Sequence, residues 1–175
     1  MTYMYLQPAH QLDLDRIMAI IHSAQATMAT DGVHQWFNGY PDRTNLLSDI
    51  AKAQLYEIIY QQQIAGVLAI QTTPEPNYET LKGGHWHSDA PYATIHRLAM
   101  HHEFAGHHLG KMAIAHALTL IRNQGIMHVR MDTHHDNKRM QYLMRQFGFG
   151  HRGTIHIHDP HGDLETEAYE LSLNL

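Results

Sequence analysis

Residues 104–110 (FAGHHLG) make a glycine-containing turn directly ahead of a helical stripe, which leaves main-chain N–H groups unpaired at the positive end of a helix. Such groups suit an anion of the pyrophosphate kind, bound by backbone rather than by side chains. Histidine is the second resource: the chain has 18, and imidazole moves protons near neutral pH or ligates metal. His96 lies inside a strand-like run, and His134 follows another, two residues after Asp132. His156 and His158 project from one strand face, and His161 follows a proline, a spacing that zinc or nickel can use. No carboxylate–histidine helix motif accompanies them, and other histidines fall in scattered pairs such as His101-His102 and His134-His135, so no metal site is expected. Trp36, Phe37 and Tyr40 cluster with Gly39 and Pro41 in a loop, where they either stack on an amine cation or form a satellite core. Trp86, between His85 and His87, is a second candidate lid.

These groups need elements to place them. Tyr92–Met100 (YATIHRLAM) reads as a strand, and Leu109, Met112, Ala113, His116, Ala117, Leu120 and Ile121 then recur on one helix face. Residues 127–132 (MHVRMD) form a further strand, and Asp136-Asn137 caps a helix whose stripe is Met140, Leu143, Met144 and Phe147, ended by Gly148. Upstream, residues 2–6 suit a strand, residues 12–28 a helix with Leu12, Ile17, Ile20, Ile21 and Ala24 inward, and residues 43–53 a second helix. Leu55–Tyr60 and residues 64–71 read as a hairpin, and residues 150–158 and 167–173 as closing strands. Residues 72–91, with Pro74, Pro76, Gly83 and Gly84, are an excursion between strands rather than a boundary. Strand, helix, helix, three strands, helix, strand, helix, two strands imply an α/β (mixed α+β) fold, a mixed sheet with helices on both faces.

The order of elements over residues 92–149, with His96-Arg97-Leu98-Ala99-Met100 in the strand and Arg130-Met131-Asp132-Thr133-His134 later, resembles the acetyl-CoA-binding core of the GCN5-related N-acetyltransferases, the GNAT superfamily. The first half, with Gly32-Val33-His34-Gln35-Trp36 and Gly39-Tyr40-Pro41, resembles an uncharacterised bacterial branch of it. The resemblance implies one acetyltransferase domain over residues 1–175 with a splayed sheet, moving acetyl from acetyl-CoA to a primary amine, small-molecule or peptide, by direct attack. It implies that Leu98, Ala99 and Met100 offer backbone to pantetheine and that Ala105, Gly106, His107, His108, Leu109, Gly110 and Lys111 hold the pyrophosphate. The family turn reads Arg/Gln-x-x-Gly-x-Gly/Ala; Ala105 and His108 depart from it and Gly110 matches. Asn137 matches the family's cofactor-contacting Asn and is equally a helix cap. His96 is the expected base: it lies two residues before Leu98, hence on the same strand face, and arylalkylamine acetyltransferases of the superfamily have a catalytic His there. A buried structural histidine is the alternative. The family's usual acid is a Tyr seven residues after the Asn, but here that position is Met144, and Tyr142 faces elsewhere. The thiolate then leaves unassisted or takes a proton from another group, with His134 the candidate and a plain surface-loop histidine the alternative. Trp36, Tyr40 and Asp132 are candidate acceptor contacts. A binding module that has lost turnover is the competing class, and a histidine-rich metal-binding protein a third.

Composition sets bounds. With 175 residues and 43% hydrophobic content the chain can bury a substantial core. It has no cysteine, which excludes disulfides, a thiolate acyl-enzyme and cysteine-based zinc sites. No leader-like start or ~20-residue apolar run occurs, so a cytoplasmic, non-membrane protein is expected. The formal charge of −5 argues against nucleic acid as a partner, although protonating all 18 histidines would bring it to +13. Dimerisation is common in the superfamily, and residues 167–173 could pair across chains.

Overall fold

The computed structural model describes residues 3–36, 38–158 and 164–174. Its elements are β1 (Met4–Pro8), α1 (Leu14–Thr30), α2 (Arg43–Ala51), β2 (Leu55–Tyr60), β3 (Gln63–Gln71), β4 (Tyr92–Met100), α3 (Leu109–Asn123), β5 (His128–Thr133), α4 (Lys138–Gln146), β6 (Gly150–Ile157) and β7 (Leu164–Ser172). The expected element order is present, and β4 carries the expected limits. The first and last strands are displaced by two or three residues, within the usual uncertainty of reading element ends from pattern.

The strands form one seven-stranded sheet in the order β1-β2-β3-β4-β5-β7-β6. Among the described residues only β4 and β5 pair in parallel, through the α3 crossover; the other neighbours are antiparallel. This corrects one expectation, because β7 is an interior strand, bonded to β5 on one side and β6 on the other. Its β5 edge is used over Glu167–Ser172 and its β6 edge over Leu164–Glu170, so it is not the edge strand that pairing across chains would need.

Each sheet face is covered by helices. On one side α3 and α4 bury Leu109, Ala113, Ile114, Ala117, Ile121 and Met144 against Ile58, Leu68, Ile95, Val129 and Met131. On the other, Ile17, Ile20 and Ile21 of α1 and Leu46 of α2 pack on Leu55, Val67, Ala69 and Ala99. Each fully buried isoleucine contributes on the order of 1.5–3 kcal/mol, so the two stripes dominate the local stability of their helices. Leu12 does not join its stripe: it is 97% exposed, because a short 3-10 turn at Gln11–Asp13 precedes α1 and rotates it outward.

The 72–91 excursion is docked, not loose. It holds a one-turn 3-10 helix, Pro76–Thr80, and Tyr78 within it is 2% exposed. Lys82 bridges to Thr154 of β6, where Gly153 adopts φ +140 and a Cβ would lie 2.3 Å from the Lys82 carbonyl oxygen. Arg130 of β5 pins the same segment. Its guanidinium lies over Trp86 and Tyr92, 4.1 and 3.9 Å from the ring centroids, donates to the Ser88 carbonyl at 2.6 Å and meets Glu170 at 3.2 Å.

Candidate active site

The β4–β5 ladder runs only from Tyr92↔His128 to Thr94↔Arg130. Beyond it the strands diverge, so the β5-facing backbone edge of β4 past Thr94 carries no strand ladder. A bulge in β4 lies at this point. Between the pairs Val67↔Ala99 and Ala69↔His96, the single residue Leu68 faces both Arg97 and Leu98. Arg97 takes the extra residue's conformation with φ 55, and its side chain reaches Asp49 of α2 at 2.8 Å, without hydrogen-bond alignment. Burial raises the Asp49 pKa above its ordinary value, outweighing the opposing pull of Arg97.

The bulge overturns the expectation that His96 shares a face with Leu98. Directly paired residues point to the same side, so His96 and Ala99 lie on the side of Ala69 and Val67, toward α1. Leu98 and Met100 turn to the α3 side. One inserted residue reverses the alternation on which the strand argument rested.

A cavity of about 330 Å³ opens where the strands part. Of the residues expected to serve the reaction, Trp36, Tyr40, His96, Leu98, Asp132 and Asn137 line it, and so does His158 of the histidine-rich segment. His96 is largely buried, and its Nε2 is shielded from solvent with no hydrogen-bond partner among the described residues. Its Nδ1 lies 3.9 Å from Asp132 Oδ1. Burial holds the imidazole below its ordinary pKa of 6.5, with Asp132 partly offsetting it. Both carboxylate oxygens of Asp132 are occupied: Tyr78 Oη donates to Oδ1 at 2.9 Å and Thr166 Oγ1 to Oδ2 at 3.0 Å. Asp132 thus orients groups around it rather than sitting as an open carboxylate. Burial first, and then Asp132, pushes the Tyr78 phenol well above its ordinary pKa of 10, so it stays protonated.

Asn137 caps α4 by accepting from the Met140 amide at 3.1 Å, and its Nδ2 donates to Gln35 Oε1 at 3.0 Å. The same Gln35 oxygen accepts from Thr133 Oγ1 at 3.0 Å, fixing the loop that carries Trp36 to the end of β5. Trp36 itself has φ 64, and Arg97 lies 5.5 Å from the centroid of the Tyr40 ring. Phe37 lies outside the described residues.

Other expected residues are placed elsewhere. His134 is not part of the lining and is no surface histidine: it is 6% exposed, beside His34, His135 and Asp136. Ala99 is a core residue, and Met100 packs into the α3-side core. Trp86 is no lid; its ring packs tilted against Tyr78, centroids 5.3 Å apart, and it donates to the Tyr78 carbonyl at 3.1 Å. Met144 is fully buried in the core, and Tyr142 is 60% exposed. Ala105, Gly106, His107 and His108 form an exposed turn leading into Leu109, Gly110 and Lys111 at the start of α3. His108 is left-handed, φ 56, and no side chain caps this helix, whereas Asp42 and Asn137 cap α2 and α4. His158, unlike these, does line the cavity, its ring centroid 4.6 Å from that of His156, and His161 lies outside the described residues.

Sequence reasoning missed Tyr78, Thr166, Glu75, Asn77 and Arg97. A tyrosine two residues after Pro76 in an otherwise polar excursion was the one available signal for Tyr78. Nothing local marked Thr166 or the bulge.

Comparison with known proteins bears on what this arrangement is. The model of the acetyltransferase (GNAT) family matches residues 21–149. The uncharacterised N-acetyltransferase YesJ of Bacillus subtilis (strain 168) is 25% identical over 152 residues, 85% of this chain and 83% of that protein. A GNAT-family acetyltransferase from Streptococcus agalactiae 2603 superposes with a TM-score of 0.86 at 28% identity, covering 97% of this chain and 95% of that one. The PaiA N-acetyltransferase of Thermoplasma acidophilum, solved with coenzyme A, shares the fold at a TM-score of 0.67 and 15% identity, covering 97% and 99%. With the family model matched over most of its length and the same architecture in a solved acetyltransferase, this chain belongs to the GNAT family of N-acetyltransferases.

Proposed function

We propose that the chain transfers acetyl from acetyl-CoA to a primary amine by direct attack, as a single catalytic domain, with His96 as the base. The observation that carries the reading is the open edge of β4 beside the cavity, with a buried His96 Nε2 in its wall that has no partner among the described residues. Acetyl-CoA would supply the thioester carbonyl that is attacked and the thiolate that leaves.

The residues present fit that co-substrate. An extended pantetheine arm can add to the β4 edge near Leu98 and Met100 as a strand would, using main-chain groups that no strand ladder uses. The uncapped start of α3, from Gly106 to Lys111, suits the pyrophosphate. The departure at His108 matters less than its side chain suggests. His108 keeps the left-handed backbone that a glycine would adopt, at a cost on the order of 1–2 kcal/mol, and its exposed ring leaves the N–H groups accessible. The coenzyme A held by the PaiA neighbour, on the same fold, supports the assignment.

Within the cavity, His96 accepts the proton of the incoming amine. Its lowered pKa keeps it neutral and able to do so at pH 7. Asp132, fixed by Tyr78 and Thr166, orients the imidazole and stabilises the charge it acquires. Tyr78 commits its one hydroxyl proton to the hydrogen bond with Asp132 and so positions that carboxylate; the thiolate leaves unassisted and takes up the proton that His96 gained from the amine, directly or through water. Trp36 and Tyr40 form the aromatic side of the acceptor pocket.

The test has two stages. Acetyl-CoA at 100 times its Kd should raise the melting temperature by roughly 5–11 °C. CoA thiol release with a panel of small-molecule and peptide amines then tests turnover. A melting shift with no thiol release from any amine would favour an acetyl-CoA-binding module; no shift at all would sink the co-substrate assignment.

A further inference from the structure

We propose that His34, His134, His135 and Asp136 bind one divalent first-row transition-metal ion of the zinc type, at the rim of the cavity. The Asp136 carboxylate gathers three imidazoles. His34 Nδ1 is 2.8 Å and His134 Nδ1 3.3 Å from Oδ2, and His135 Nε2 is 2.9 Å from Oδ1. The ligating atoms of His134, His135 and Asp136 all lie within 4.8 Å of one another. Movements of an ångström or so would bring them to the ~2.0–2.1 Å bonds that zinc makes with imidazole and carboxylate. Three nitrogens and one oxygen suit zinc, nickel, cobalt or copper, and the nitrogen-rich set disfavours magnesium and calcium, which take oxygen.

The surroundings hold these donors in place, as a metal site requires. Gln141, 6% exposed, donates through Nε2 to the carbonyls of His134 and His135 at 3.3 and 2.8 Å, clamping the backbone of two of the four donors. The Asp136 amide donates to His134 Nδ1 at 3.3 Å, a weak contact that an ion would displace. His34 comes from the far loop, and that loop is already docked beside it. Asp31 pairs with Arg139 at 2.8 Å, and Gln35 bonds Thr133 and Asn137.

An ion here would tie residues 31–36 to the turn between β5 and α4. Trp36, Gln35, Thr133 and Asn137 line the cavity, so metal occupancy would fix its acceptor side. The site does not rest on the acetyl-transfer reading, because its donors are outside the cavity lining.

The experiment is calorimetric titration of the chelator-treated chain with zinc chloride alone, paired with thermal melts. The expected result is one tight equivalent and a rise of roughly 5–11 °C at 100 times the Kd. In the His34→Ala, His135→Ala double variant the affinity should fall by more than about 100-fold, beyond what loss of an outer-shell contact costs. Both side chains are exposed, 73% and 64%, so the metal-free melt should match the parent. Should it not, the near-isosteric Asp136→Asn gives the same reading. The His156→Ala, His158→Ala variant should bind as the parent does. A tight equivalent that survives the first variants, one that vanishes in the last, or none in the parent would overturn the site.

Discussion

His96 is the residue on which the proposed chemistry turns. His96→Gln should lower turnover by about 100-fold or more, read as thiol release at saturating acetyl-CoA, while the acetyl-CoA melting shift is retained. Burial lowers its pKa below 6.5, and the base works only when neutral. The acid limb of kcat/KM should therefore fall below pH 6.5. The stability consequence has the same origin: between the folded and unfolded pKa the unfolded chain binds more protons, so this histidine's contribution declines as pH falls below 6.5. Tyr78→Phe removes one of the two hydroxyls that satisfy Asp132. The less-solvated carboxylate then favours the imidazolium more strongly, and the acid limb should move to higher pH. An unmoved limb would show that Tyr78 does not act through Asp132.

At the scale of elements, two junctions hold the site open and shaped. Arg130 is buried between Trp86 and Tyr92 and is paired with Glu170, which is itself 3% exposed. Arg130→Met would leave that carboxylate with Arg152 at 3.3 Å and the His87 amide at 2.7 Å, so the cost is that of one charged hydrogen bond, about 1.5–3 kcal/mol. For a chain of this length the melting temperature should drop by roughly 3–12 °C. Tyr78 rides on the segment that Arg130 pins, so thiol release should fall with it. Asn137→Ala removes the α4 cap and the bond to Gln35. A loss of about 1 kcal/mol, seen as roughly 2–4 °C in calorimetry, is expected from the cap alone. The cap was legible from the Asp-Asn pair before a helical stripe. That its amide also reaches a loop 102 residues earlier was not.

Across the whole molecule, charge follows histidine. The formal charge is −5 with all 18 histidines neutral and would be +13 with all of them protonated. Electrophoretic mobility should reverse sign near pH 6, close to the sequence pI of 6.4. Mobility that stays anodal at pH 5 would mean that the histidines as a group resist protonation. Among the described residues, no helix is long and apolar enough to cross a membrane.

The sequence by itself determined the element order, the two apolar helix stripes, the cap and stop of α4, and six of the cavity residues. These follow from periodicity and short-range backbone chemistry, which neighbouring residues specify. Tertiary structure decided the face that His96 occupies, since one extra residue opposite Leu68 inverts the alternation and depends on pairing with β3. It decided that β7 is interior, because sheet order depends on which strands dock rather than on their sequence order. It also delivered Tyr78 and Thr166 to Asp132 from 54 and 34 residues away. His34 reached Asp136 across 102 residues in the same manner. Contacts of that range are set by how packed faces and docked loops close on one another, and no local pattern in the chain encodes them.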